Sequence, residues 1–297
     1  MVTRGDGRKR AAYGPEQVPT GHRRTLEGEM WMSPLVELRK ASKRFPNGRG
    51  GLHTAIRDVD LTVEPGEFVA VVGPTGCGKS TTLSLISGLQ PPSAGSVEVN
   101  GHPVQGIPDG VGYMFQSDAM LPWRNVLANV AAGPIWRGVA KDVAHERARD
   151  WIARVGLEGF EGYYLHQLSG GMRKRVALAQ TLVNEPSILL MDEPFSALDV
   201  QTRALMQQEL LRLWSGSGAA VVFVTHDLEE AIVLADRVVV MTASPARVKA
   251  GFDVHLPRPR DVEELRITTA FIDVYREIWS ALSAEVDIAR RVPDRVA

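Results

Sequence analysis

Residues suited to phosphate chemistry occur in this chain at four places, each directly after a short apolar run. The run at 68–72 leads into Gly73-Pro74-Thr75-Gly76-Cys77-Gly78-Lys79-Ser80, and residues 81–86 read as the first turns of a helix. Glycines at 73, 76 and 78 allow the backbone to curl so that successive N–H groups point inward, and the following helix adds the positive end of its dipole. A polyphosphate is the natural guest. Lys79 would reach the β and γ phosphates as a point charge, and the Ser80 hydroxyl would take one position on a magnesium ion bridging them. The other three places are Gln116 after the run 111–115, Asp192-Glu193 after 188–191, and His226 soon after 220–224. Phosphoryl transfer to water asks a protein mainly for positioning and charge stabilisation. Asp192 is then suited to the magnesium shell and Glu193 to polarising the attacking water. Gln116 can contact metal and water through an uncharged amide, and His226 can donate a hydrogen bond to the γ phosphate without ionising. Each alone has an ordinary structural reading, as a packing histidine or a turn before proline. Four of them at four strand ends are much harder to read that way.

For these groups to meet, the apolar runs must be strands of one sheet, because ligands of open α/β sheets sit outside the carboxyl ends of the strands. The runs 188–191, 220–224 and 238–241, like 68–72, are uninterrupted and separated by helical stretches, which predicts a parallel sheet covered on both faces. Segments 35–38 and 55–63 instead alternate apolar and polar residues, and 95–101 reads as a further strand and turn. These predict antiparallel strands with one wet face. Lys43-Arg44-Phe45 falls between the first two, followed by a glycine-rich loop at 46–51, and Phe45 taken alone reads as a core residue. From about 125 to 162 apolar residues recur near helical spacing (Val126, Val130, Ile135, then Ala144, Ala148, Ile152, Val155), which predicts a helical subdomain inserted into the alternation. A last helix is predicted at about 262–282. Residues 1–33 hold Gly, Pro and clustered charge with almost no apolar periodicity and read as a disordered tail.

The composition is that of an ordinary folded chain: 297 residues, 44% hydrophobic, 34 basic against 35 acidic, formal charge −1. No global field favours nucleic acid or anionic lipid. No apolar run approaches the roughly 20 residues of a membrane span, and the N-terminus lacks the apolar segment of a secretion signal, so a cytosolic protein is expected. Cys77 is the single cysteine, which excludes an intrachain disulfide and a cysteine metal site. Its place in the loop at a helix start predicts a favoured thiolate and sensitivity to thiol reagents.

Between the loop and the acidic pair lies Leu168-Ser169-Gly170-Gly171-Met172-Arg173-Lys174-Arg175, and Ser196-Ala197-Leu198-Asp199 follows Glu193. Ser169 is a good helix N-cap, and the glycines after it leave N–H groups at a helix start as a second anion site. Three cations in that first turn oppose the helix dipole, which makes sense if a phosphate is expected nearby. In order and spacing these segments resemble the nucleotide-binding subunit of ABC transporters, over about residues 34–245.

The resemblance implies an α/β P-loop NTPase with a RecA-like parallel core, an antiparallel β subdomain and a helical subdomain at about 120–180. It leaves 246–297 as a C-terminal strand and helix extension. It implies ATP and Mg2+ as cofactors. By position, Phe45 is similar to the aromatic residue that stacks on adenine, and Gly73 to Thr81 resemble the Walker A loop. Gln116 resembles the Q-loop glutamine, Ser169, Gly170 and Gly171 the signature, and Asp192 the Walker B aspartate. Glu193 resembles the catalytic base, Asp199 the D-loop aspartate and His226 the switch histidine. Met172, Lys174 and Phe45 depart from the commoner Gln, Gln and Tyr without removing a catalytic group. Leu121-Pro122-Trp123-Arg124-Asn125-Val126, the Ser-Gly-Gly-Met signature and Leu256-Pro257-Arg258-Pro259-Arg260 are similar to importers of the nitrate, sulfonate and taurine type. The family closes as a head-to-tail dimer over two ATP molecules. The expectation is a homodimeric ATPase, peripheral on the inner face of the cell membrane, docked on a separate permease and served indirectly by an extracytoplasmic solute-binding protein. The competing class is a soluble ABC ATPase acting on nucleic acid or ribosomes. Such proteins usually carry two nucleotide domains or a long coiled-coil insertion, and residues 80–169 show no sustained heptads. A small GTPase or kinase would leave the signature unexplained.

Overall fold

The computed structural model describes residues 33–47, 50–117 and 119–291, so the tail expected at 1–33 lies, apart from Ser33, outside the described residues. In chain order come β1 (Val36–Pro46), β2 (Leu52–Val63), β3 (Phe68–Val72), α1 (Lys79–Ile86), β4 (Ala94–Val99), β5 (His102–Pro103) and β6 (Val111–Met114). They are followed by α2 (Val126–Val130), α3 (Ala132–Trp136), α4 (Lys141–Arg154), α5 (Gly170–Leu182), β7 (Ile188–Asp192), α6 (Val200–Trp214), β8 (Ala220–Val224) and α7 (Leu228–Leu234). Then come β9 (Arg237–Met241), β10 (Val248–Asp253), α8 (Val262–Arg266) and α9 (Thr269–Arg291).

Six strands form the core sheet in the order β10-β9-β3-β8-β7-β6, and four form a second sheet in the order β2-β1-β4-β5. The core strands are parallel except β10, which pairs antiparallel with β9. Their unbroken apolar sequences follow from burial on both faces. In β3, Phe68, Ala70 and Val72 face a core shared with the helices, while Val69 and Val71 face a second core shared with the antiparallel sheet. β8 divides in the same way, with Val221 and Phe223 on one side and Ala220, Val222 and Val224 on the other. Each fully buried Val, Leu or Phe contributes roughly 1.5–3 kcal/mol relative to exposure, so a polar residue inside any of these runs would be strongly selected against by stability alone.

Three elements differ from the sequence expectation. β1 continues through Lys43, Arg44 and Phe45 to Pro46, past register shifts between Leu38 and Arg44, so Phe45 lies on a strand rather than in a connection. The helical insert is broken into α2, α3 and α4, with a 3-10 turn at Leu165–Gln167 before α5. The break between α3 and α4 follows Gly138, which has φ +85°, a conformation that ends a helix readily for glycine only. The C-terminal helix is two helices: Ile267 caps the end of α8, and the Thr268 hydroxyl accepts the Phe271 N–H at the start of α9. The strand expected beyond 245 is the edge strand of the core sheet, and α9 packs against α7, β9 and β10. Among the described residues no helix is long and apolar enough to cross a membrane.

Candidate active site

β3, β8, β7 and β6 are neighbours and run the same way, so Gly73, His226, Asp192 and Gln116 all emerge at one edge. Turning from β3 into α1 requires Gly78: its φ is +127°, and a Cβ there would meet Ile56 Cγ2 at 2.6 Å and the Ala55 oxygen at 3.0 Å. The loop is thereby wedged against β2. Lys79 is 5% exposed and folds back, donating from Nζ to the carbonyls of Gly73 at 3.0 Å and Pro74 at 3.1 Å. Its ammonium spans the inside of the loop where a phosphate would sit, and α1 starts without a side-chain cap. Thr75 and Gly76 are exposed at the tip.

Cys77 is buried, and its N–H is bonded to the Pro74 carbonyl at 3.2 Å. Burial pushes its thiol up, against the opposing pull of the Lys79 charge. The expectation of a favoured thiolate is therefore overturned, because desolvation of the sulfur outweighs the positive surroundings.

Ser80 Oγ donates to Asp192 Oδ1 at 2.9 Å, joining the start of α1 to the end of β7. Burial raises the Asp192 pKa, opposed by the Ser80 hydrogen bond. Tyr113 on β6 also hydrogen-bonds Asp192, and burial followed by the Asp192 charge pushes its phenol up. Sequence reasoning missed Tyr113. The signal was period-2 alternation in β6, which puts Tyr113 on the face of Phe115, with which it stacks at 4.1 Å.

Glu193 takes φ +43°, a left-handed conformation costing a non-glycine residue about 1–2 kcal/mol. Its N–H bonds to the Val224 carbonyl, its own carbonyl accepts from Ser196 Oγ, and its Oε2 lies 2.9 Å from His226 Nδ1. The kink turns Glu193 away from the line of β7 and onto the neighbouring strand end. His226 is 54% exposed and Glu193 19%. Gln116 is exposed, and its backbone oxygen accepts from Lys174 Nζ at 3.0 Å.

The second anion motif is arranged differently. Ser169 caps α5 by accepting the Met172 N–H at 3.3 Å, and Ser169 and Gly170 are exposed. The three following cations turn toward backbone carbonyls: Arg173 to Leu168 at 2.8 Å, Lys174 to Gln116, and Arg175 to Val155 at 2.9 Å. Lys174 thereby links α5 to the segment after β6, while Arg173 and Arg175 tie α5 to the rest of the helical insert. Asp199 caps α6 through the Thr202 N–H, which lowers its pKa. A Cβ at Gly171 would meet Thr202 Cγ2 at 2.7 Å, so the two turns abut. Phe45 carries the Lys43 ammonium 5.2 Å from its ring centroid.

The ABC transporter family profile matches residues 56–196. An uncharacterised ABC transporter ATP-binding protein of Methanocaldococcus jannaschii is 47% identical over 232 residues, covering 78% of this chain and 85% of that relative. This chain belongs to the ABC transporter ATP-binding family. The taurine import ATP-binding protein TauB of Burkholderia pseudomallei is 46% identical over 247 residues, 82% of this chain and 95% of that relative. Among solved structures, a dimeric ATP-binding cassette in a post-hydrolysis state with ADP and Pi aligns with a TM-score of 0.66 and 30% identity over 75% of this chain and 100% of that one. A component of an ABC transporter complex of Clostridium perfringens aligns with a TM-score of 0.67 over 87% of this chain and 100% of that one; at 22% identity it shows the fold. As an ABC family ATPase the chain binds ATP and hydrolyses it in support of transmembrane transport.

Proposed function

We propose that this chain is the ATP-hydrolysing subunit of an importer for a small anionic or sulfonate-bearing solute of the nitrate, sulfonate and taurine class. It works as a homodimer at the inner face of the cell membrane, on a separate permease fed by an extracytoplasmic solute-binding protein. The observation that carries the reading is the meeting of Ser80 with Asp192 and of Glu193 with His226 at adjacent strand ends beside the Lys79 loop. The solute class is supported by the similarity to TauB of Burkholderia pseudomallei over 95% of that relative's length. The dimer is supported by the exposed start of α5 and by the dimeric state of the similar cassette.

Ser80 and Asp192 offer two hard oxygen donors side by side, which suits Mg2+, an ion that keeps most of its shell for water and substrate phosphates. Bound with the nucleotide, it would supply positive charge to the phosphate oxygens. Lys79 and the loop N–H groups from Gly73 to Thr81 hold the phosphates, Phe45 stacks on the base, and Gln116 reaches metal and water. Glu193 orients the attacking water and accepts its proton. A neutral His226 that donates through Nδ1 to Glu193 presents Nε2 as an acceptor, which a phosphate does not match. Hydrogen bonding to the γ phosphate therefore needs the two side chains to part or the ring to take a second proton. Parting of the pair also frees Glu193 for water, whereas a doubly protonated ring would keep its Nδ1–H on the carboxylate. Ser169, Gly170, Gly171 and Asp199 complete the site of the second subunit.

The solute reading is tested by disrupting the coding sequence in its own cell and measuring uptake of labelled taurine, an alkanesulfonate and nitrate. Loss of uptake of one of the three is expected, and unchanged uptake of all three would overturn the class.

A further inference from the structure

The residues on either side of His226 are held by a buried polar chain that the chemistry above does not use. Thr225 is 1% exposed; its hydroxyl donates to Glu230 Oε2 at 2.7 Å and accepts the Asp227 N–H at 3.0 Å. Asp227 caps α7, and residues 227–230 have the D-x-x-E form in which the last carboxylate ordinarily reaches back to the cap residue's own N–H. Here the Thr225 hydroxyl takes that N–H and Glu230 takes the hydroxyl. One oxygen thus ties together the residues before and after His226.

The far side of Glu230 is equally determined. Its other oxygen accepts from Gln207 Nε2 at 3.1 Å, and Arg203 Nε lies 3.7 Å away. Gln207 is fully buried, and its own oxygen accepts from Arg266 at 3.1 Å, which fixes the amide with its donor toward the carboxylate. Arg203 also donates to Asp227 at 3.3 Å and to the Leu198 carbonyl at 3.1 Å, so it joins the segment after Glu193 to the segment after His226. A carboxylate 3% exposed is costly to bury, and an apolar side chain would fill the space between α6 and α7 without that cost. A packing role does not account for it.

We propose that Glu230, acting through the Thr225 hydroxyl, is the positioning residue for His226. It fixes the backbone from which the imidazole projects, so that the ring meets Glu193 before nucleotide binds and the γ phosphate afterwards. The inference rests on the role given to His226 above, and the test separates the two. Thr225→Val keeps the shape and removes the hydroxyl, whereas Thr225→Ser keeps the hydroxyl. For the full chain and for these variants, Glu230→Gln and His226→Ala, the measurements are kcat and KM for ATP, equilibrium ATP binding, and the thermal midpoint. Thr225→Val and Glu230→Gln are expected to lower kcat by about 10- to 100-fold with KM and ATP binding within about 3-fold, while Thr225→Ser stays within about 3-fold of the parent. Near-parental turnover in His226→Ala overturns the role of His226 and the inference with it. Lost turnover in His226→Ala with retained turnover in Thr225→Val overturns the positioning role alone. If Thr225→Val and Thr225→Ser lose turnover, ATP binding and thermal midpoint alike, the contact is merely structural and the inference is overturned.

Discussion

Two helices of this chain begin in glycine-rich turns, α1 at Lys79 and α5 at Gly170, and they are completed in opposite ways. At α1 no side chain caps the helix, Lys79 is buried across the loop, and Ser80 reaches a carboxylate on another strand. At α5 a serine caps the helix locally and the turn is exposed. A helix start of this kind has the same dipole in both places. In the proposed mechanism, what makes the first a reaction site is the sheet edge beside it, which brings Asp192, Glu193 and His226. The second has no such edge and, in the proposed dimer, acts on the nucleotide of the other subunit.

The sharpest way to break this comparison is at the edge that α5 lacks. Glu193→Gln keeps the shape and loses the proton acceptor, so turnover should fall by roughly 10²- to 10⁴-fold while ATP still binds. Phosphate release beside equilibrium nucleotide binding measures this, and near-normal turnover would refute the base assignment. Mixing subunits tests the division between the two helix starts. Lys79→Ala should lose nucleotide affinity, and Ser169→Arg should bind ATP yet not hydrolyse it. A mixture of these two inactive proteins should recover part of the parental activity, on the order of a quarter, if one intact composite site suffices. Normal hydrolysis by Ser169→Arg alone would show that α5 does not serve a second site.

Smaller effects sharpen the contrast between a buried and an exposed turn. Burial and a raised thiol pKa predict that Cys77 in the folded apoprotein reacts with a thiol reagent at least about 10-fold more slowly than in denaturant. Equal rates, followed by absorbance, would contradict the buried loop. Ser169 is the side-chain cap of the exposed α5 turn, so Ser169→Ala should lower stability by about 1 kcal/mol in chemical unfolding. The smallest effect concerns Asp192, whose pKa is raised by burial in the folded state. The folded chain then holds this proton more tightly than the unfolded one, so the group's contribution to stability falls as pH rises from the unfolded pKa through the folded one. Asp192→Asn should raise the thermal midpoint of the apoprotein at neutral pH and flatten that acid-side slope, as differential scanning across pH would show.

Much of the fold was legible because both faces of the core sheet are buried. The runs at 68–72 and 220–224 coincide with β3 and β8, since no polar residue is tolerated between their ends. Elements held by local irregularity were less legible. Phe45 looked like a connection because β1 shifts register before reaching it, and the C-terminal helix looked continuous because Thr268, which caps α9, breaks it without a glycine or proline. At the site, the phosphate loop and the strand-end residues were visible because their types and order carry chemistry. Tyr113, Thr225 and Glu230 were not, since each acts through a partner on another segment or across a turn.

The sequence by itself determined the local facts: which runs are strands, where the loop before Lys79 turns, that Asp192, Glu193 and His226 stand at strand ends, and that Ser169 can cap a helix. These depend on periodicity, backbone preference and side-chain chemistry over a few residues. Only the tertiary structure decided what each charged or polar group meets. It buried Cys77 and so reversed the direction of its pKa, turned Arg173, Lys174 and Arg175 onto carbonyls, and set Glu230 behind the histidine loop. Solvation and partners come from segments far apart in the chain, and no pattern along the sequence encodes the distance between them.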